Sequence, residues 1–408
     1  MTTSFDVAIV GAGLAGLRAA QVLESRGVSV LLVDHRPSVG GRLGSHNVDG
    51  FIVDEGFQLI NPAYPELRAA GVLDGFDLRR FDPAVTFVDA TGRFDVVDPR
   101  FAPRQSLAML SNDHLPVPDL LRLARVMAEV NLRSVRALTS RPDCTTREGF
   151  ERAGLTRATI EDVLQPFLRG TLLDDGLDTS WHYTQLLLRS FTRGRSGTHP
   201  DGIAALPTAM RARLRSTDVR LGESAHRVSA NQVITDHETY GSRVVIVATD
   251  AADASELIHV NDPGWRSQTT WWLALPKLHD AKRLRIDLGR RFLSSALDLS
   301  SVAPERAPHS RSLVGAPANG LHPTSEYDLL VIEDVARLYG VTTAEVSLVT
   351  KSLVPRALPV VARPLRLARR QHHDDVLLAG DYLQTPSIQG ALVSGRRAAH
   401  AALRLIGR

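Results

Sequence analysis

The sequence predicts an α/β protein, and three observations near its N-terminus carry that prediction. The stretch "FDVAIVGAG" is a short apolar run with β-branched residues that closes on glycines, as buried parallel strands do. The next stretch, "LAGLRAAQVLESRG", repeats its apolar residues at helical spacing and stops at Gly27, and "VSVLLVD" is a second apolar strand. Together they predict one βαβ unit of a Rossmann-like domain.

Length and composition limit the class of protein. The 408 residues exceed what one hydrophobic core usually serves, so we expect two domains. Hydrophobic residues make up 43% and charged residues 23%, which is typical of globular proteins and argues against disorder. The sequence contains no apolar run of about eighteen residues and no basic segment followed by a cleavage site. It therefore predicts neither a membrane-spanning helix nor a signal peptide, and we expect a cytoplasmic protein.

Charge and cysteine content argue against nucleic-acid binding and against a metal site. The net charge is +3, acidic residues are spread throughout, and no lysine-rich tail occurs, so we expect no nucleic-acid partner. Cys144 is the single cysteine, which excludes an internal disulfide and a cysteine-rich metal site. No histidine spacing indicates zinc. We therefore expect no metal and interpret Cys144 as a structural thiol.

The turn between the first strand and the first helix has the glycine spacing of a dinucleotide-binding loop. Gly11 permits the tight turn, Gly13 lets a pyrophosphate approach the backbone, and Gly16 lets the helix pack against the strand. The amides at the helix start, which include those of Leu14 and Ala15, can then bind phosphate. The loop therefore predicts a bound dinucleotide.

Residues at and beyond the second strand narrow the choice of nucleotide. Asp34 can accept hydrogen bonds from a ribose diol and would repel a 2′-phosphate, which favours FAD or NAD over NADP. The chain continues with "HRPSVGGRLGSHNVDGFIVDEGFQ". A charge-assisted contact from Arg42 would add about 1.5 to 3 kcal/mol to the binding of a diphosphate, more than one helix-end amide supplies.

This continuation resembles the flavin-containing amine oxidase superfamily, which includes amine oxidases, phytoene desaturases and protoporphyrinogen oxidases. In that family the acidic residue is followed by an arginine, a G-G-R triplet and a D-x-G segment, which here are Asp34, Arg36, residues 40–42 and residues 54–56. The resemblance implies that the cofactor is FAD. It implies cofactor contacts at Gly11, Gly13, Leu14, Ala15, Gly16, Asp34, His35, Arg36, Gly41, Arg42, Gly56, Phe57 and Gln58.

A second signature lies in "DDVLLAGDYLQTPSIQGALVSGRRAAHAALRLIG" near the C-terminus. It predicts a strand that ends in Gly380 and Asp381, followed by a helix that begins near Ser387. The resemblance implies that Asp381 contacts the ribityl and phosphate portion of FAD. It also implies that the backbone of Ser387 and Ile388 faces the pyrimidine edge of the flavin, where the helix dipole would stabilise negative charge.

The resemblance implies a discontinuous FAD-binding domain of the glutathione-reductase/amine-oxidase type, with an α+β substrate domain inserted. The segment "VVIVATD" resembles the family's return to the nucleotide domain, with Val228 at the position whose backbone meets adenine. We predict that residues 1–75, 205–260 and 372–408 form the FAD-binding domain, and that residues 76–204 and 261–371 form the substrate domain with mixed sheet and helices.

Segments such as "VDEGFQLINPAYPEL" and "LQPFLRGTLLDDGLDTS" look most like phytoene-dehydrogenase-like FAD-dependent oxidoreductases of undefined substrate. The resemblance implies removal of a hydride from a hydrophobic small molecule, for which a polyene is one candidate.

A flavin amine oxidase is one alternative, but Ser387 stands where that group commonly has an aromatic residue, and threonines stand near the expected lysine, with Lys277 a few residues on. The second alternative is a non-catalytic binder of lipidated partners, similar to GDP-dissociation inhibitors. No second glycine fingerprint indicates a separate NADPH domain.

No side chain is assigned as catalytic. His182, Tyr183 and Tyr382 fit only by residue type, and we favour buried structural roles for them. Trp271 and Trp272 alternate on a predicted strand, and we favour core packing for both. The basic amphipathic segment "PDLLRLARVMAEVNLRSVRALTSR" is compatible with a membrane surface, but we favour a helix with its apolar face in the domain core.

Overall fold

The computed structural model describes residues 4–279, 281–289, 292–367 and 372–408. The predicted domain limits at residues 1 and 371 lie outside these ranges. In chain order, the strands are β1 Ser4–Val10, β2 Val30–Asp34, β3 Ser45–Val48, β4 Phe51–Asp54, β5 Arg79–Arg80, β6 Ala84–Val88, β7 Arg93–Val97, β8 Gly197–Thr198, β9 Asp218–Leu221, β10 Ala225–Ser229, β11 Gln232–Thr235, β12 Thr239–Val247, β13 Trp265–Pro276, β14 Leu284–Asp287, β15 Leu297–Asp298, β16 Arg311–Asn319, β17 Ser347–Pro359, β18 His372–His373 and β19 Val376–Leu378.

The helices connect these strands and cover their sheets. In chain order, they are α1 Leu14–Glu24, α2 Pro65–Ala69, α3 Pro103–Ser106, α4 Val117–Leu132, α5 Val135–Leu138, α6 Thr146–Arg152, α7 Arg157–Thr159, α8 Gln165–Leu172, α9 Trp181–Arg193, α10 Ala205–Arg211, α11 Ala251–Ile258, α12 Asp328–Tyr339 and α13 Ile388–Leu405. Within the described ranges, no helix has the length and apolar composition needed to cross a bilayer.

The largest sheet contains the predicted βαβ unit. Its strands follow the order β10-β11-β12-β1-β2-β9, and β19 lies beside β12 with β18 next to it. Strand β1 pairs in parallel with β2 and with β12, and β12 pairs in parallel with β19. All five residues of β2 are buried, as expected for a strand covered on both faces. The prediction of a Rossmann-like α/β fold is confirmed.

Helices α1 and α13 cover one face of this sheet and bring the two ends of the chain together. A Cβ atom added at Gly395 of α13 would lie 2.0 Å from the carbonyl oxygen of Ala15 in α1, so the helices cross at backbone contact. Leu17 of α1 and Leu392 of α13 bury their side chains in the same core as Leu32 of β2. The opposite face packs against α11. The start of α13 is thereby fixed beside the glycine loop.

A second, antiparallel sheet has the order β15-β16-β13-β17. Trp271 and Trp272 of β13 are both fully buried on its opposite faces. The indole of Trp271 packs with Val331 of α12 and donates to Asp328, whereas that of Trp272 packs with Phe81 and donates to Ser352. The two tryptophans alternate along the strand, as the sequence predicts, and both occupy cores.

A third sheet, β14-β6-β7, and the helices α4 to α9 form the remaining wall of the molecule. Val126 and Val130 of α4 are buried against Phe150, Leu168 and other apolar side chains of these helices. The predicted core face of α4 therefore exists. Between these helices, the three-stranded sheet and the largest sheet runs the cavity that holds the candidate site.

Candidate cofactor site and adjoining cavity

The glycine loop connects β1 to α1 and leaves the N-terminal amides of α1 uncovered by any of its side chains. Gly11 has φ +108°, and a Cβ atom there would lie 2.8 Å from the backbone of Ala248. A Cβ atom at Gly16 would lie 1.9 Å from the carbonyl oxygen of Gly11, whereas one at Gly13 would meet no atom within 4 Å. Gly13 precedes α1, no side chain caps the helix, and its first turn has no acidic residue. Helix amides there can bind an anion.

Asp34 holds the shape of this loop. Its carboxylate is buried and accepts hydrogen bonds from the backbone N–H of Ala12 at 2.6 Å and of Arg36 at 2.8 Å. The neighbouring His35 is exposed, with its imidazole 3.5 Å from the same carboxylate. Each carboxylate oxygen can accept a further hydrogen bond. Asp34 can therefore orient the loop and also accept from a ligand hydroxyl.

A second glycine turn lies against the first. Gly40 has φ +127° and donates its N–H to the carbonyl of Ala12, and a Cβ atom at Gly41 would lie 3.4 Å from Cα of Gly13. The guanidinium of Arg36 donates to the carbonyl of Gly41 and pairs with Glu55 at 3.0 Å. The two turns thus form one backbone cradle beside the start of α1.

Arg42 connects this cradle to the far end of the chain. Its guanidinium donates to Asp381 at 2.6 Å and to the carbonyl of Ala357 at 3.0 Å, and it lies 5.4 Å from the ring of Trp265. The side chain of Asp381 is only 5% exposed, while that of Arg42 is 27% exposed. A buried carboxylate and a partly open guanidinium therefore lie side by side on the cavity wall.

The start of α13 is also positioned by contacts from elsewhere in the chain. Ser387 caps the helix by accepting from the N–H of Gly390 at 3.0 Å. The hydroxyl of Tyr183 in α9 donates to the carbonyl of Pro386 at 2.9 Å. Since no acidic residue lies in the first turn of α13, its amides present partial positive charge to the cavity.

The segment after β4 passes close to β13 and β17. The N–H of Phe57 donates to the side-chain oxygen of Gln268 at 3.1 Å, and a Cβ atom at Gly56 would lie 3.3 Å from Val354. The side-chain oxygen of Gln58 is buried and has no hydrogen-bond partner among the described residues. Because buried polar atoms usually have a partner, this oxygen indicates a ligand or water contact inside the cavity.

One continuous cavity of about 1970 Å³ joins these features. Of the eighteen residues expected to contact the cofactor, all except Gly16, Gly56 and Val228 line it. Gly16 instead packs helix against strand, and Gly56 permits the approach of β17. The residues that line the cavity are Gly11, Gly13, Leu14, Ala15, Asp34, His35, Arg36, Gly41, Arg42, Phe57, Gln58, Gly380, Asp381, Ser387 and Ile388.

Val228 is predicted to meet adenine through its backbone, and that contact stays a prediction. The residue lies in β10 with its side chain against the core on the α11 side of the sheet, and it does not line the cavity. Ala225 and the neighbouring residues 223, 224 and 226 line the wall there instead. The pairing of β10 with β11 shifts between Ala225 and Arg227, so simple alternation along the strand does not hold.

Of the three residues that fit a catalytic role by type, only Tyr183 lines the cavity. Its hydroxyl is committed to Pro386, and burial raises its pKa well above the ordinary value. His182 is buried with its imidazole 3.7 Å from Asp143, and burial also raises the pKa of Tyr382. Burial raises the pKa of Tyr64, a further cavity residue, to about 12. The tyrosines are therefore neutral at ordinary pH.

Neither Lys277 nor Lys351 offers a free amine to the cavity. Lys277 follows β13 and does not line the cavity. Lys351 of β17 does, but its ammonium donates to the carbonyl of Thr324 at 2.7 Å and to Asp328 at 3.0 Å. Thr269 donates its hydroxyl to the carbonyl of Gly320. The threonines predicted near the lysine position are fully buried in the sheet.

The residues of this site fit FAD. Gly13 leaves open space at an uncapped helix start for a pyrophosphate, and Asp34 can accept from a ribose. Arg42 and Asp381 are paired on the wall of the same cavity, which the start of α13 and the unpartnered side chain of Gln58 also line. One cavity thus brings together the polar groups that a dinucleotide requires.

Comparisons with known proteins agree with this fit. A family model described as flavin containing amine oxidoreductase matches residues 14–403. The 15-cis-phytoene desaturase of Capsicum annuum is 21% identical over 468 aligned positions, which cover 100% of this chain and 80% of that protein. Putrescine oxidase of Kocuria rosea is 47% identical over 64 residues, but this match covers only 16% of the chain and 13% of that protein. An oxidoreductase from Methanosarcina mazei superimposes with a TM-score of 0.74 at 14% identity over 97% of this chain and 100% of that one, which shows the shared fold.

Proposed function

This chain belongs to the family of flavin containing amine oxidoreductases and is an FAD-dependent oxidoreductase, and from that premise we propose that it removes a hydride from a hydrophobic small molecule. The observation that carries this proposal is the chemistry of the cavity wall beyond the cofactor residues. Among residues 163–192, all of which are described, no charged side chain lines the cavity. A substrate held there must be largely apolar, because an unpaired charge would lose its hydration.

The apolar wall is formed by two helices and the turn before them. It consists mainly of Val163, Phe167, Leu168, Leu187, Leu188 and Phe191, with Phe87 and Val96 of the three-stranded sheet opposite. Such a surface orients a substrate by shape, and polar or charged groups such as Asn61, Asp98 and Arg195 line other parts of the cavity. We expect a rigid, extended hydrocarbon or ring system rather than a small polar molecule.

The cofactor would lie against the polar groups of the cavity wall. We assign its pyrophosphate to the start of α1 and Arg42, its ribose to Asp34, its ribityl chain to the neighbourhood of Asp381, and its pyrimidine edge to the start of α13. The adenine would lie near Ala225. These assignments rest on the position of each group along the cavity and on the family relationship.

The chemistry that bound FAD supplies is hydride acceptance from a substrate carbon. The chain itself supplies position and environment. The amides at the start of α13 would stabilise negative charge at the pyrimidine edge, and the wall of α8 and α9 would exclude water from the reacting carbon. No side chain is assigned as an acid or base, because the hydroxyl of Tyr183 and the ammonium of Lys351 are both engaged elsewhere.

An amine oxidase is the competing function, since putrescine oxidase is among the relatives. The residue at the start of α13 is Ser387, whose hydroxyl caps the helix and offers no aromatic face to an amine. No charged group on the wall of α8 and α9 would pair with a protonated amine. The wall of α8 and α9 therefore favours the apolar substrate.

The test is reduction of the bound flavin without oxygen. Purified protein is mixed anaerobically with acyclic polyenes, porphyrinogens, and amines that include putrescine, and loss of the flavin's visible absorbance is followed. We expect an apolar compound to reduce the flavin, and Phe167→Asp to abolish that reduction while FAD stays bound. Leu329→Asp, at an exposed position of α12, is the matched control. Reduction by amines alone would overturn the proposal.

A further inference from the structure

Helix α4 carries an apolar stripe that faces solvent. Val117, Leu121, Ala124, Ala128 and Leu132 follow the spacing i, i+4, i+7, i+11 and i+15, which places them on one side of a helix. All five are exposed; the side chain of Leu121 is 67% exposed and that of Leu132 is 85% exposed. The core side of the same helix is also apolar. Because a helix that is apolar on both its core side and its solvent side normally buries both, the exposed side of α4 is a candidate contact surface.

Further exposed apolar side chains flank α4 in the chain. Leu107 and Leu110 precede the helix, Val135 follows it, and Phe101 lies at the start of the same region, each with an exposed side chain. We call these four residues and the stripe the α4 surface. Of the thirteen large hydrophobic side chains exposed in the described ranges, seven belong to it. Exposed apolar residues scattered singly are ordinary, but such a concentration marks an interaction surface.

The charges around the α4 surface are basic. Arg104, Arg125 and Arg136 are exposed and have no ion-pair partner among the described residues. Among the acidic groups nearby, Asp119 is fully buried and Glu129 pairs with Arg133 at 3.2 Å, while Asp113 is exposed. Three unpaired arginines against one exposed aspartate leave a net positive charge for a partner.

The cavity opens at this surface. Ala124, Ala128 and Leu132 of the stripe line the cavity and are exposed as well, as is Phe101. Leu123 and Met127, on the adjoining side of α4, continue the lining inward. An apolar path thus leads from the exposed stripe to the wall of α8 and α9.

We propose that the α4 surface docks on an anionic lipid bilayer, with the mouth of the cavity against the lipid. Apolar side chains on a helix with arginines beside them are the composition of a helix that lies in the interface of a membrane. Each arginine near an anionic surface adds attraction that salt weakens. The mouth would then take an apolar molecule from lipid, which rests on the proposed function; the docking itself does not.

A second copy of the chain is the competing partner. In a two-fold symmetric dimer, the same surface meets itself, so Arg104, Arg125 and Arg136 would face like charges. No exposed acidic cluster on the α4 surface would balance them. The charge pattern therefore favours anionic lipid over self-association.

Vesicle flotation tests the docking. The FAD-loaded protein is floated with vesicles of phosphatidylcholine alone or mixed with phosphatidylglycerol, at low and high salt. We expect flotation with the mixed vesicles that falls with salt. Leu121→Ser with Leu132→Ser should weaken binding by about tenfold for each residue, and Arg104, Arg125 and Arg136 changed to Gln by about fivefold for each.

Matched variants control for general effects. Leu329→Ser with Leu405→Ser removes two exposed leucines elsewhere, and Arg26, Arg215 and Arg227 changed to Gln remove three exposed arginines elsewhere. Both should float like the parent protein, and all variants should retain FAD. The proposal is overturned if the parent protein stays with the soluble fraction at low salt, or if the control variants lose vesicle binding equally. It is also overturned if the parent protein does not bind vesicles and gel filtration shows a dimer that Leu121→Ser with Leu132→Ser dissociates. Failure here leaves flavin reduction untouched, so the proposed function is judged separately.

Discussion

Arg42 and Asp381 are 339 positions apart in the chain, and their side chains form an ion pair of 2.6 Å on the cavity wall. One follows the second glycine turn near the N-terminus, and the other follows β19 just before α13. Because the pair spans the two signature segments, any ligand that lies across it contacts both ends of the chain. The site therefore depends on the packing of α1 against α13.

Replacing Arg42 by Ala should lower FAD occupancy while the fold survives. The guanidinium contributes a charge-assisted contact of about 1.5 to 3 kcal/mol to a diphosphate, which corresponds to roughly a tenfold to hundredfold weaker affinity. The measurement is the ratio of flavin to protein absorbance after dialysis, with circular dichroism to confirm folding.

Arg227→Ala, at an exposed position of β10, serves as the control for the loss of an arginine. Arg42→Lys should recover part of the occupancy, since it keeps the charge but not the fork of donors. If Arg42→Ala retained as much FAD as the parent, the pyrophosphate would have to lie elsewhere in the cavity.

Two glycines of the first turn should respond differently to the same added methyl group. At Gly13 φ is −71° and a Cβ atom meets nothing within 4 Å, so Gly13→Ala should leave the free energy of unfolding within about 1 kcal/mol. At Gly16 the Cβ atom would lie 1.9 Å from the carbonyl oxygen of Gly11, so Gly16→Ala should destabilise the protein by about 2 kcal/mol or more.

Urea unfolding of FAD-free protein measures the stability difference, and titration with FAD measures affinity. We expect Gly13→Ala to bind FAD more weakly, because its methyl group stands where a pyrophosphate would approach the helix amides. A Gly13→Ala variant with the parent's FAD affinity would argue against a phosphate at the start of α1.

Local patterns of the sequence predict the nucleotide half of the fold well. The apolar runs that become β1 and β2, and the spacing of Gly11, Gly13 and Gly16, reflect steric requirements that act within a few residues. The βαβ unit follows from such patterns and is present, and the strand predicted to end at Gly380 corresponds to β19, which ends at Leu378.

Features set by tertiary contacts could not be predicted in the same way. The register of β10 and β11 shifts beside Ala225, and a one-residue shift reverses which side chains face the cavity, so the sequence does not indicate that the side chain of Val228 packs on the α11 side. The contact of Tyr183 with Pro386 joins residues 203 positions apart. In α4 the apolar positions are visible in the sequence, but which of them face core, cavity or solvent depends on the neighbouring helices.

Tyr183→Phe distinguishes a positioning role from a catalytic one. The hydroxyl is committed to the carbonyl of Pro386, so its loss should lower stability by about 1 to 3 kcal/mol while FAD stays bound. Reduction of the flavin by substrate should slow by less than tenfold and keep its pH profile. Tyr240→Phe, which removes another buried hydroxyl, is the control. A loss of more than about a hundredfold in the rate of reduction, with FAD retained, would make Tyr183 an acid or base.

Asp119 should make the protein sensitive to acid. Burial alone would raise the pKa of this carboxyl, but hydrogen bonds from Thr156, Thr159 and Arg122 outweigh it and lower the pKa to about 2. The folded pKa lies below the ordinary value, so the ionised carboxylate stabilises the fold above about pH 4. This contribution of roughly 2 kcal/mol is lost progressively as pH falls from about 4 through about 2.

Asp119→Asn isolates that contribution, because the amide keeps the size of the side chain and loses its charge. The free energy of unfolding in urea should be lower than the parent's by roughly 2 kcal/mol at neutral pH, and the difference should shrink toward pH 2 as the parent's carboxylate becomes protonated. Asp113→Asn, at an exposed position of the same segment, is the matched control for the loss of a carboxylate. Since the Asp119 carboxylate ties the start of α4 to Thr156 and Thr159, a difference that stayed constant from neutral pH to pH 2 would mean that hydrogen bonding alone, and not the charge, holds α4 in place.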